Sequence, residues 1–206
     1  MVTSNDKQGL KIRRLHPLIG AEVTNVDFNK PLHKSFVEEI HQAWMDYQIL
    51  VFPGQKISDE QHVSVTRNFG EPEIFHQNII KSKFKKEIFR VSNTDEDGKL
   101  MPQSHPIQQQ LSSAKKWHTD SSYRPIPAMG SLLHGVEISR TGGLTCFTNM
   151  CEVYDALPEK LRKRIEGKKC RHDFENLSRI SGARKPTEDE RAAMPPIWQP
   201  MVRVHP

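Results

Sequence analysis

The stretch WHTD, residues 117–120, sets an imidazole, His118, and a carboxylate, Asp120, two residues apart. Residues two apart on an extended chain point to the same side, so one ring nitrogen and one carboxylate oxygen can serve a single cation. Two histidines and one carboxylate form the facial ligand set of non-haem Fe(II) oxygenases, which leaves metal positions open for substrate and oxygen. Spacing alone leaves a second reading open, two satisfied polar residues on a strand, because an HxD pair arises readily by chance. The ligand reading also raises a question of number, since it calls for a third donor.

Other chemistries find little support. Cys146, Cys151 and Cys170 form no CxxC pair and leave an odd count, which speaks against a disulfide framework or a sulfur metal site. No glycine-rich phosphate loop and no GxSxG elbow occurs. The formal charge of +5 is spread among acids. Its densest runs, KSKFKK (81–86) and EKLRKRIEGKKCR (159–171), carry no zinc-finger or recognition-helix spacing, so no nucleic-acid partner is expected. Hydrophobic residues make up 35% and charged residues 27%, a soluble balance, and no apolar run is long enough to span a membrane. The first residues lack the apolar core of a secretory signal, and a cytoplasmic protein is expected.

The elements that must position the pair read as follows. Residues 16–32 suggest a short strand and turns. Phe36, Ile40, Ala43, Trp44 and Tyr47 recur at helical intervals and predict a helix from Lys34 to about Asp46, followed by a strand in 48–54. Ser58 and Gln61 have the spacing of a capping box, Val65 and Phe69 share a face, and Gly70 is a natural stop. A strand over 87–93 then leads into a long polar loop at about 94–116. Beyond Trp117 the character turns to β, with strands expected in 128–138 and 144–149 around a paired-glycine turn. Asn149 suits the cap of a short helix, a second helix is expected in 157–167, and a strand around 170–174. Residues 178–196 read as a polar insertion with helix near 188–193, and the last residues as extended. Lacking βαβ alternation, the chain predicts a mainly β core with flanking helices, a barrel or sandwich.

The order of WHTD, PAMGSLLHGVEISRTGGLTCFTN, the upstream FPGQ and FG and the downstream RHDF and HP resembles the taurine dioxygenase (TauD/TfdA-like) family. These are Fe(II)- and 2-oxoglutarate-dependent dioxygenases, and the likeness runs from HPLIGAEV to MVRVHP. It implies a double-stranded β-helix, or jelly roll, with Fe(II) as metal and 2-oxoglutarate as cosubstrate. By the same resemblance His118 and Asp120 are metal ligands and Thr145 contacts the 2-oxoglutarate carboxylate. His76 aligns approximately with a histidine that holds an anionic substrate group, and Tyr123 with a residue lining the substrate pocket. Ala114 and Ile79 stand near positions where the taurine enzyme carries an amide and a tyrosine. The implied substrate, used with molecular oxygen, is therefore another small organic acid: a sulfonate, an alkyl sulfate or an aryloxyalkanoate.

The third ligand is not assigned. His33, His41 and His62 fall on or near helices, and His134 and His172 match positions that the family does not use as ligands. His205, in MVRVHP, resembles a structural passage of the family rather than its distal histidine. The distal histidine and the arginine that follows it have no counterpart. Residues 1–206 are thus expected to be the N-terminal and central part of a single dioxygenase domain, a jelly roll left incomplete because later core strands are absent. Such open edges invite self-association, so a homo-oligomer is a possible partner state. An inactive truncated remnant or a non-enzymatic interaction module is the alternative function.

Overall fold

The computed structural model describes residues 9–74, 85–95, 97–112, 116–181 and 185–204. In chain order its elements begin with β1 (Lys11–Arg14), β2 (Ala21–Thr24), α1 (Lys34–Tyr47), β3 (Leu50–Val51), α2 (Asp59–Arg67) and α3 (Pro106–Ser112). They continue with α4 (Met150–Asp155), α5 (Glu159–Ile165), β4 (Lys169–His172), α6 (Phe174–Ser181), α7 (Glu188–Ala193) and β5 (Ile197–Pro200). The chain divides into two units, Met1–Pro72 with Leu132–Glu159, and Glu73–Ser131 with Lys160–Pro206.

In the first unit, β2 is the centre of a three-stranded sheet. It pairs antiparallel with β1 (Ile12 opposite Val23) and parallel with β3 (Ala21 opposite Leu50). Ala21 and Val23 point to one face and are fully buried, as the two-residue period of a strand requires. On α1 the stripe predicted from spacing is the one that is covered: Ile40 and Ala43 are buried and Phe36, Trp44 and Tyr47 half-buried. Ile40 meets Phe28 and Val65 in a core to which Leu32, Leu50, Phe52 and Phe69 add their apolar surface. α2 starts with the expected capping box, Ser58 N–H donating to Gln61 Oε1 at 2.7 Å and Gln61 N–H to Ser58 Oγ at 3.3 Å. Asn149 caps α4, its Oδ1 accepting from the amides of Cys151 and Glu152, while its Nδ2 donates to Leu18 O at 2.9 Å.

Two histidines fasten the segment after Leu132 to the α2 region. His62 Nε2 contacts Leu132 O at 3.1 Å, His134 Nε2 contacts Gln55 O at 3.3 Å, and the rings meet edge to face 5.9 Å apart. Burial, which outweighs the help of the Leu132 carbonyl, lowers the His62 pKa below 6.5, and the neighbouring His134 acts in the same direction. The folded state thus resists protonation more than the unfolded chain does. The His62 contribution to stability is present above pH 6.5 and is lost as pH falls through the lowered folded value. His62→Gln keeps a donor for Leu132 O but does not titrate. Melting temperatures measured between pH 7.5 and 5 should therefore fall less for this variant than for the wild type. Equal losses would show that His62 does not drive the acid sensitivity.

In the second unit, β4 and β5 pair antiparallel, with Cys170 opposite Gln199 and His172 opposite Ile197. α7 begins at the helix expected near 188, with a capping box in which Thr187 N–H donates to Glu190 Oε2 at 2.9 Å and Glu190 N–H to Thr187 Oγ1 at 3.2 Å. The loop expected over 94–116 contains α3, whose Pro106 sits in the first turn, where proline's missing N–H costs nothing. The strand expected over 87–93 gives no ladder among the described residues; Phe89 is a single bridge residue, and Thr94 and Leu100 form an isolated bridge nearby.

The expected jelly roll is not found. The described residues form a mixed α/β fold with two small unclosed sheets, of three and two strands, and no strand among them exceeds four residues. The segments 128–138 and 144–149, expected as core strands, form no strand. A strand exists only where a second one accepts its hydrogen bonds, and local apolar content cannot supply that partner. Val136 is 84% and Leu144 87% exposed, the opposite of a core strand.

Candidate metal centre

Within the second unit, His118 and Asp120 lie on no ladder strand. Residues 117–119 are irregular, and a turn begins at Asp120. The two side chains nevertheless converge as their spacing suggested, with His118 Nε2 3.3 Å from Asp120 Oδ1. Both remain accessible, the side chains 49% and 62% exposed.

Hydrogen-bond accounting fixes what these atoms can offer. His118 Nδ1 lies 2.6 Å from the carbonyl oxygen of Lys116. A carbonyl only accepts, so Nδ1 carries the proton and the neutral ring has its lone pair on Nε2. Asp120 Oδ2 accepts from Ser131 Oγ at 3.1 Å, which leaves Oδ1 facing Nε2. Two lone pairs 3.3 Å apart repel unless a proton or a cation lies between them. Donors at right angles on one metal, with bonds of about 2.1 Å, sit about 3 Å apart. The pair therefore fits adjacent positions on a divalent ion, with each outer atom already engaged as an orienting contact should be.

The chain reverses directly after Asp120. Ser121 is buried and has φ 54°, a left-handed conformation rare for a residue with a Cβ, and its carbonyl accepts from Arg124 N–H at 2.9 Å. Tyr123 stacks obliquely on Phe174, ring centres 5.3 Å apart. Burial first, and the charge of Glu73 second, raise the Tyr123 pKa above its usual value, so at neutral pH its hydroxyl keeps its proton and can donate.

The other expected site residues are placed as follows. Thr145 belongs to the first unit, where it is exposed. His76 lies outside the described residues, as do Ile79, Ala114 and His205. His134 is engaged with Gln55, and His172 Nδ1 with Ser122 Oγ at 3.1 Å. Among the described residues no group of three or more His, Cys, Asp or Glu side chains is gathered as a metal site. Ser131 escaped the sequence reading, because nothing in its spacing, eleven residues from Asp120, marks it as a carboxylate partner.

A sequence model of the taurine catabolism dioxygenase TauD, TfdA family matches residues 11–206. The chain belongs to the TauD/TfdA family. It is similar to the alpha-ketoglutarate-dependent 2,4-dichlorophenoxyacetate dioxygenase of Cupriavidus pinatubonensis, with 35% identity over 93% of this chain and 68% of that protein. It is also similar to the (S)-phenoxypropionate/alpha-ketoglutarate-dioxygenase of Sphingobium herbicidovorans, 30% identical over 95% of this chain and 66% of that protein. Among solved structures, AAD-2 in complex with Mn(II) and N-oxalylglycine superposes with a TM-score of 0.82 at 32% identity, over 97% of this chain and 68% of that one. This TauD/TfdA chain thus spans 66–68% of the length of these relatives. Its family is one of Fe(II)- and 2-oxoglutarate-dependent dioxygenases.

Proposed function

We propose that this chain carries the first two protein ligands of an Fe(II)- and 2-oxoglutarate-dependent dioxygenase whose substrate is an aryloxyalkanoic acid. The observation that carries the reading is the approach of His118 Nε2 and Asp120 Oδ1, whose partner atoms Nδ1 and Oδ2 are both engaged elsewhere. The phenoxyalkanoate relatives support the choice within the wider class of sulfonates, alkyl sulfates and aryloxyalkanoates.

Iron with 2-oxoglutarate supplies the oxygen activation for C–H hydroxylation, chemistry that no side chain provides. The chain's own residues hold and orient. His118 gives a neutral nitrogen in a tautomer set by Lys116 O, and Asp120 gives a negative oxygen that offsets part of the metal charge. Thr145 is assigned to the 2-oxoglutarate carboxylate as a hydroxyl donor, and His76 to the anionic group of the substrate. Tyr123, its hydroxyl kept protonated, lines the pocket as a donor and an apolar ring.

Hydroxylation of the carbon beside an ether oxygen gives a product that collapses with release of a phenol, which provides the assay. With Fe(II), 2-oxoglutarate and oxygen, phenoxyacetate is expected to yield phenol and succinate in equal amounts. Alkanesulfonates and alkyl sulfates are expected to raise succinate no higher than the substrate-free rate. Coupled turnover of a sulfonate or sulfate with none of phenoxyacetate would overturn the substrate assignment.

A further inference from the structure

Each of the four residues after Asp120 has its own anchor in the second unit. Ser121 Oγ donates to Glu73 Oε2 at 2.6 Å, Ser122 Oγ meets His172 Nδ1, and the Tyr123 ring packs on Phe174. Arg124 is held three ways. Its carbonyl accepts from Gln199 Nε2 at 3.0 Å, one terminal guanidinium nitrogen donates to Ile74 O at 3.2 Å, and Nε lies 2.8 Å from Glu73 Oε1. That last approach is too oblique for a hydrogen bond, so the two buried atoms are held by charge alone. Glu73 thus grips both ends of the turn, Ser121 with one oxygen and Arg124 with the other.

The grip falls where the backbone most needs one. A left-handed residue with a Cβ persists only when its surroundings over-determine it, and Ser121 is such a residue next to Asp120. If Ser121 relaxed to an ordinary conformation, the chain direction at Asp120 would change and its carboxylate would swing off His118. The His118 ring would not follow, because it is fastened upstream to Lys116 O.

We propose that Glu73 is a positioning residue for the metal pair, holding Asp120 against His118 through the turn Ser121–Arg124. The proposal rests on the reading of His118 and Asp120 as ligands. A conserved fold with a displaced Asp120 weakens metal binding, whereas a merely structural Glu73 would alter stability alone.

The test uses the full chain and Mn(II), with free Mn(II) read from its paramagnetic resonance signal and folding checked by circular dichroism. Glu73→Gln is expected to weaken Mn(II) binding about tenfold in a folded protein, the low end of the range for outer contacts of metal ligands. Ser121→Ala, which removes only the hydroxyl, is expected to weaken it as well. Ser121→Gly should weaken it less, because glycine holds a positive φ without penalty. Wild-type affinity in both Glu73→Gln and Ser121→Ala would overturn the proposal, and Ser121→Ala alone decides it if Glu73→Gln does not fold. His118→Ala is the arm for the underlying reading. Mn(II) binding that this variant leaves intact, or a wild type that binds none, overturns the ligand assignment and the positioning role with it.

Discussion

Replacing His118 by alanine is expected to lower divalent-metal affinity by more than about 100-fold, beyond the range seen when only an orienting contact is lost. The variant removes the lone pair that faces Asp120 Oδ1 and leaves the carboxylate its contact with Ser131. Asp120→Asn keeps the shape but removes the charge, and is expected to cost nearly as much. The double variant should be little worse than either single one, because the two side chains act on one ion and their losses do not add. Isothermal titration with Mn(II) measures all three. Additive losses, each small, would mean that the side chains meet no common ion.

The second large effect concerns stability. Ile40→Ala is expected to cost about 2–5 kcal/mol, the range for truncating a well-packed aliphatic side chain. Ile40 is 3% exposed and sits between Phe28 and Val65, so the lost methyls leave a cavity that the neighbouring helix cannot easily fill. Against a typical stability of about 5–15 kcal/mol this is a large share. Leu133→Ala is the contrast: at 73% exposed it should change stability by no more than about 0.5 kcal/mol, although it lies in a stretch that reads as a core strand. Urea titration followed by the fluorescence of Trp44, which packs edge-on to Phe69 beside this core, reports on the first unit when Trp117 and Trp198 of the second unit are replaced by phenylalanine. A larger loss for Leu133→Ala than for Ile40→Ala would contradict the burial described here.

That contrast marks where the sequence was legible. Signals carried by near neighbours in the chain were read correctly: the Ser58–Gln61 box, the Asn149 cap, the α1 stripe and the helix at 188–193. Each depends on residues three or four apart, so the local sequence contains the whole interaction. Strand pairing does not work that way. Residues 128–138 and 144–149 have the apolar content of strands, but a ladder is decided by a distant partner, and both the mainly β core read from them and the jelly roll implied by the family resemblance were wrong. α3 was missed because a polar run, with only Ile107 and Leu111 one turn apart, looks like loop until its first-turn proline is weighed.

At the candidate site His118 and Asp120 converge, although the chain there is irregular rather than the strand on which the HxD spacing argument rested. The supporting contacts could not be read. Ser131 is eleven residues from Asp120 and Glu73 forty-eight from Ser121, distances over which spacing carries no information. Nor does the sequence reveal that a serine adopts a left-handed turn, since its type prefers other conformations.

The most direct test of the central claim is an anaerobic titration of the chain with Fe(II) and 2-oxoglutarate, followed by visible absorption. The account predicts a saturable metal-to-ligand charge-transfer band that disappears in His118→Ala and in Asp120→Asn while both variants remain folded. A folded wild-type chain that gives no band, or a band that survives the loss of His118, would contradict it.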